Sequence, residues 1–275
     1  MIVALCTIAI VFGAGDAPSP CPATPYAVDT ATHTYGADPL FEALDLYLPK
    51  GARGEPLAVY IHGGAWVSRD KGEYAALGAA FARCGIAAAV LNYPLAPETP
   101  AQQQADAVAS AVRWLELHAG AGHYDPKRIF LVGHSAGAQL ALYATVTGKL
   151  PRAAIAGIVA LGSVGINPST DVATLDPRYQ SIYEPAFGVD RAAWPSFDIK
   201  PRLRGDEPPV LVIHGRNDRM APEAISRQLY EQLKAAGDRV QYLQPPDREH
   251  WNMIDLMSRS GDPTMLAVER FILGK

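Results

Sequence analysis

Basic residues are sparse and dispersed along this chain. Lys and Arg number 24 against 28 Asp and Glu, a formal net charge of −4, and no run of either cation stands out. A surface for phosphate backbones or anionic lipid needs clustered positive charge, so no nucleic-acid partner is expected. Cysteine is scarcer still. Cys6, Cys21 and Cys84 are the only three in 275 residues, and their spacing matches no metal motif. Repeats and an interdomain linker are also missing, which leaves one globular domain of ordinary size. No apolar run is long enough to span a bilayer as a helix, so stable membrane insertion is not expected.

Residues 1–15 (MIVALCTIAIVFGAG) carry no charge at all. An apolar core, then small residues, then the polar and Pro-rich DAPSPCP resembles a secretory signal and its cleavage region. The usual cation after Met1 is missing. Residues 1–20 are read as a signal peptide with a Pro-rich start, and residues 21–275 as the catalytic domain. This predicts an exported protein, periplasmic or secreted. It would be cytoplasmic if residues 1–15 were instead a buried strand or helix. Cleavage would remove Cys6 and leave Cys21 and Cys84, which can pair only if the fold brings them close.

Residues 44–48 (LDLYL) alternate and read as a strand exposed on one face. Residues 56–61, 86–91, 128–132, 155–161, 210–213 and 240–243 are short and apolar, as in strands of a parallel sheet buried on both faces. Helical patterns lie between them. Thr99-Pro100 opens one that runs to His118, and Asp262-Pro263 opens the last. Residues 138–147 and 222–236 carry two more. The alternation predicts a doubly wound α/β domain. Residues 162–209 break it, with turn residues and scattered aromatics, and are read as a small lid over a site.

Gly133-His134-Ser135-Ala136-Gly137 follows the strand RIFLV and precedes a helical pattern. That is the strand–turn–helix context in which G-x-S-x-G exposes a nucleophilic serine. His62-Gly63-Gly64-Ala65-Trp66 ends an earlier strand and offers backbone N–H donors for an oxyanion, with Gly64, Ala65 and Ala136 the expected donors. Trp66 is expected to brace the loop or wall the pocket, and His62 to hold the turn. Of seven histidines, His250 stands in a loop after the last strand. His134, inside the elbow, is expected to point away from the serine's face. Asp218 sits just past the strand at 210–213, which gives the order Ser, Asp, His. Asp206, Glu223 and Glu249 are placed less well. The expected triad is Ser135, His250 and Asp218. Trp66, Tyr183, Phe187 and Trp251 are the expected substrate-binding residues.

The chain resembles the α/β-hydrolase esterases that include hormone-sensitive-lipase-like enzymes, kynurenine formamidases and bacterial feruloyl-esterase-like proteins. The resemblance runs from Tyr35 to the C-terminus. It rests on Leu44-Asp45-Leu46-Tyr47-Leu48-Pro49, His62 to Trp66, Asn92-Tyr93-Pro94-Leu95-Ala96-Pro97-Glu98, Gly133 to Gly137, and Asp218 followed by Pro222. Ala65 departs from the Gly common in lipase-like members, and a backbone donor survives that change. The resemblance implies an α/β-hydrolase fold with an eight-stranded, mostly parallel sheet, no metal and no cofactor. The leading reading is a serine carboxylesterase acting on a small-molecule ester; the modest lid and the bulky expected lining residues predict a short or aromatic acyl group. An aryl formamidase, a serine peptidase and a non-catalytic binding protein on the same scaffold are the alternatives.

Overall fold

The computed structural model describes residues 19–275; the expected signal, residues 1–15, lies outside them. Eight strands form one sheet: β1 (Val28–Thr34), β2 (Ala43–Pro49), β3 (Glu55–Ile61), β4 (Ala87–Leu91), β5 (Tyr124–His134), β6 (Ile155–Leu161), β7 (Val210–Ile213) and β8 (Val240–Leu243). Their order is β1-β2-β4-β3-β5-β6-β7-β8. β2 runs antiparallel to both β1 and β4, and every later pairing is parallel. β1 (VDTATHT) has no apolar alternation and is largely exposed, so the sequence pattern misses it.

The helices are α1 (Ala75–Arg83), α2 (Ala101–Gly122), α3 (Ala136–Val146), two four-residue turns α4 (Pro168–Asp171) and α5 (Glu184–Phe187), α6 (Glu223–Ala236), α7 (Asn252–Met257) and α8 (Pro263–Leu273). Successive strand residues point to opposite faces. Leu57, Val59 and Ile61 of β3 pack into one core with α2, α3 and α6. Ala58 and Tyr60 pack into the other with α1, α7 and α8. Burying a Val, Leu or Ile is worth about 1.5–3 kcal/mol. The central strands therefore anchor the sheet firmly enough for strained loops to stand at their ends.

Two expectations shift by a few residues. α2 begins at Ala101, with Pro100 rather than Thr99 as its cap, and runs past His118 to Gly122. α3 starts at Ala136, directly after the serine. α8 starts as expected, with the Asp262 carboxylate accepting the N–H groups of Thr264 (2.9 Å) and Met265 (3.0 Å). The chain leaves β3 toward β4 on one side and returns to β5 on the other. That reversal opens a crevice at the C-terminal ends of β3 and β5, where open α/β sheets bind ligands.

Candidate active site

β5 ends at His134 and α3 begins at Ala136, so Ser135 alone makes the turn, at φ 54°, ψ −120°. A non-glycine residue at positive φ costs about 1–3 kcal/mol and persists only where its surroundings hold it. Here they do: the Ser135 N–H donates to the Leu161 carbonyl at 2.8 Å, and the Ala138 N–H to the Ser135 carbonyl at 3.0 Å. The flanking glycines are sterically required. A Cβ on Gly137 would collide with the Ile61 carbonyl oxygen, and one on Gly133 with that of Gly137. This close approach brings the elbow under the loop leaving β3.

That loop is left-handed for three residues running, Gly64 (φ 103°), Ala65 (φ 51°) and Trp66 (φ 64°). The Gly64 carbonyl accepts the N–H groups of Val67 and Ser68, both at 3.1 Å. The Trp66 carbonyl accepts from the Gln104 amide (2.9 Å) and the Ala96 N–H (2.9 Å). The buried Trp66 indole donates to Gln139 Oε1 at 3.1 Å. None of the backbone hydrogen bonds among the described residues uses the N–H of Gly64, Ala65 or Ala136. A Cβ on Gly63 would sit 2.9 Å from Ser135 Cβ, so this loop lies directly against the serine.

The Asp218 and His250 loops are laced together. The Arg216 N–H donates to the Pro245 carbonyl (3.0 Å) and the Asn217 N–H to the Arg248 carbonyl (2.9 Å). Arg248 also forms a buried ion pair with Asp262. The buried His250 Nδ1 bonds Asp218 Oδ2 at 2.7 Å. Asp218 Oδ1 accepts the N–H groups of Met220 and Ala221, both at 2.9 Å. The carboxylate thus fixes the imidazole's orientation and tautomer, leaving Nε2 as the free ring nitrogen. No hydrogen bond among the described residues joins Ser135 to His250, a contact that is often long without substrate.

This chain belongs to the alpha/beta hydrolase fold family. The family match covers residues 58–253, from β3 through the elbow to α7. An isoprenylcysteine alpha-carbonyl methylesterase of Arabidopsis thaliana is 26% identical over 238 residues, covering 80% of this chain and 56% of that protein. Esterase LipC of Mycobacterium tuberculosis is 29% identical over 258 residues, covering 86% of this chain and 63% of that one. The chain therefore spans about half to two thirds of the length of these curated relatives. Among solved structures, esterase B from Lactobacillus rhamnosis superposes with TM-score 0.74 at 22% identity, covering 91% of this chain and 88% of that one. An esterase of the bacterial hormone-sensitive lipase family gives 0.72 at 25%, covering 90% and 84%. The eight-stranded α/β-hydrolase fold expected from the sequence is the fold observed.

The other histidines of this α/β-hydrolase are engaged elsewhere. His118 stacks on Trp114 and His33 meets the same ring at a tilt, His123 bonds Arg53, and His214 bonds Ser226. His62 is sandwiched between Tyr74 and Tyr93, with its Nδ1–H donating to the Gly63 carbonyl at 2.8 Å. Burial pulls its pKa down to about 4, which keeps it neutral. Asp206 pairs with Arg152, and Glu223 with Arg227.

The structure also shows where the remaining side chains of interest lie. The His134 ring centroid is 4.7 Å from that of His250. The loop it packs under comes from residues 116 positions away, beyond the reach of local pattern. Tyr183 and Phe187 are both buried, and they close edge-on against Trp66 at centroid distances of 5.4 and 4.8 Å. Trp194 and Phe197 complete this cluster. Trp251 alone of the four expected pocket residues is partly exposed, with the Arg69 guanidinium 4.5 Å above its ring. Arg69, itself at φ 90°, carried no sequence signal.

Proposed function

We propose that this chain is a serine carboxylesterase that hydrolyses short-chain or aromatic acyl esters. The observation that carries the reading is the buried Asp218–His250 pair at 2.7 Å beside a serine held at a strained elbow. Ser135 Oγ attacks the ester carbonyl carbon while His250 Nε2 takes its proton. The carbonyl oxygen becomes an oxyanion facing the N–H groups of Gly64, Ala65 and Ala136. As the intermediate collapses, His250 returns the proton to the departing alkoxide, and the alcohol leaves an acyl-Ser135 ester. Water then attacks that ester with His250 again as base, releasing the acid and restoring Ser135. Asp218 stabilises the imidazolium formed in each half. No step needs a metal or cofactor. The names of the relatives, a methylesterase and an esterase, support an ester as the bond cleaved.

The closed ring cluster supports a short acyl group. Trp66 ends the oxyanion loop, and Tyr183 and Phe187 pack edge-on against it, which supports a confined acyl site. Each added methylene alters discrimination by about 1–3 kcal/mol at most. The test is kcat/KM for p-nitrophenyl acetate, butyrate, octanoate and palmitate, with an emulsified triglyceride alongside. Acetate or butyrate should be fastest. Faster cleavage of palmitate or the emulsion would overturn the short-acyl reading.

Export belongs to the same proposal. Cys21 and Cys84 form a disulfide across 63 positions, a bond that persists in oxidising compartments. N-terminal sequencing of native protein should begin after residue 15, and free-thiol titration should find Cys21 and Cys84 blocked. An intact Met1 with both thiols free would contradict export.

A further inference from the structure

His134 is the residue between the elbow glycine and the nucleophile, and the mechanism above gives it no task. Phe130, Val132 and His134 lie on one face of β5, the face that packs on α7 and α8. The segment before α7 carries His250 and Trp251, so β5 aims the His134 ring beneath the base. Three contacts meet there. His134 Nε2 lies 2.9 Å from the backbone carbonyl oxygen of His250. The two imidazole centroids are 4.7 Å apart, and the Trp251 ring meets His134 edge-on at 5.8 Å.

A carbonyl oxygen can only accept, so Nε2 must carry the proton. A neutral ring then leaves Nδ1 bare, and Nδ1 indeed has no partner. Burial favours that neutral form, and the neighbouring His250 and Arg69 push the same way. A neutral His134 does not compete for the charge His250 must take up.

Building on the esterase reading, we infer that His134 is a positioning residue: its Nε2–H clamps the peptide of the catalytic base, and so sets where His250 Nε2 stands relative to Ser135 Oγ. His250 has two anchors. Asp218 fixes the ring's rotation through Nδ1, and His134 fixes the backbone from which the ring hangs. The serine and this second anchor are adjacent residues of one rigid strand end. Nucleophile and base are thereby referenced to the same point in the sheet. A ring that merely filled space would serve without a donor.

Two variants separate donor from filler. His134→Phe keeps a flat ring and loses the N–H. His134→Gln loses the ring and keeps an amide N–H at a similar reach. The readouts are kcat and KM on p-nitrophenyl butyrate and the rate at which a fluorophosphonate modifies Ser135, with a thermal melt to score folding. Misplacing a reacting group by about 1 Å can cost about 10²-fold. His134→Phe should lose kcat and labelling rate on that scale with KM little changed, while His134→Gln should stay within a few-fold of the parent in both. Phe equal to the parent, or Gln as impaired as Phe while both remain folded, would overturn the clamp and leave the esterase reading intact. A parent protein that neither hydrolyses the ester nor takes the label would sink the esterase reading, and the clamp with it.

Discussion

Around Ser135 the polar side chains are fixed by directional bonds, whereas in residues 162–209 four rings pack on one another, with one hydrogen bond each at Tyr183 and Trp194. Asp218 spends three acceptor contacts on two backbone N–H groups and one imidazole. Trp66 is tied through its indole to Gln139 and through its carbonyl to Gln104. In the insertion, Tyr183, Phe187, Trp194 and Phe197 meet at centroid distances of 5.0–6.0 Å. Its backbone is a series of short turns, of which the longest has seven residues. Hydrogen bonds position atoms to fractions of an ångström and ring packing does not, so the first region suits chemistry and the second suits shape. Perturbing the first should change rate without much change in stability, and perturbing the second should do the reverse.

The largest effect should come from the triad. Asp218→Asn leaves the shape but spoils the tautomer, and a loss of about 10⁴-fold in kcat is the scale for such a change. His250→Ala should cost at least as much. Combining either with Ser135→Ala should add little, because the three act as one unit. Steady-state kinetics with a melt on each variant checks this. A melting temperature that falls in step with kcat would erase the contrast between the regions.

Trp194→Ala sharpens the other side. Trp194 is fully buried and its indole donates to the Gly188 carbonyl at 2.8 Å. Truncating such a ring costs about 3–5 kcal/mol. Urea unfolding should show that loss, while kcat on p-nitrophenyl acetate stays near the parent at temperatures where the variant remains folded. A large fall in kcat at unchanged stability would place the ring cluster in the chemistry.

The last predicted effect is one of pH. His62, under the oxyanion loop, titrates at about 4 when folded against 6.5 when free. The unfolded chain binds more protons between those values, so this stability is complete above pH 6.5 and is lost as pH falls toward 4. Asp171, inside the insertion, is the mirror case. Burial raises its carboxyl from 3.8 to about 7, with Asp198 adding to the shift. The folded chain now binds more protons, so stability declines as pH rises from about 4 through 7. Asp171→Asn keeps an acceptor for the Asn167 N–H, which Asp171 now binds at 2.9 Å, and removes the charge. It should stabilise the protein at pH 8 by at most about 4 kcal/mol and leave it unchanged near pH 4. Equal shifts in melting temperature at both pH values would show that proton binding is not the cause.

The same contrast explains what could be read from sequence. β3, β4, β6 and β7 are apolar runs fixed by local chemistry, and Gly133 to Gly137 are short-range steric requirements. The ladder of β1 is set by its partner β2 rather than by its own residues, so VDTATHT gave no signal. α1 has no cap of its own to announce it; Asp70 and Glu73 form a capping box on the turn before it. In the candidate site, Ser135 directly follows β5, while Asp218 and His250 stand in the loops after β7 and β8, an order that the chain itself displays. The placement of His134 beside His250, of Arg69 over Trp251 and of Tyr183 against Trp66 depends on contacts between loops distant in sequence. No periodicity encodes those.

The most direct test of the account is where a fluorophosphonate attaches. The native protein should be treated with a slight excess of the reagent, then weighed intact and mapped by peptide mass spectrometry. One adduct should form, on Ser135 Oγ with loss of fluoride, and ester hydrolysis should fall in proportion to its formation. The adduct should be absent from Ser135→Ala and slow to appear in His250→Ala. Hydrolysis that survives full modification of Ser135, or that disappears with the adduct on another residue, would contradict the assignment.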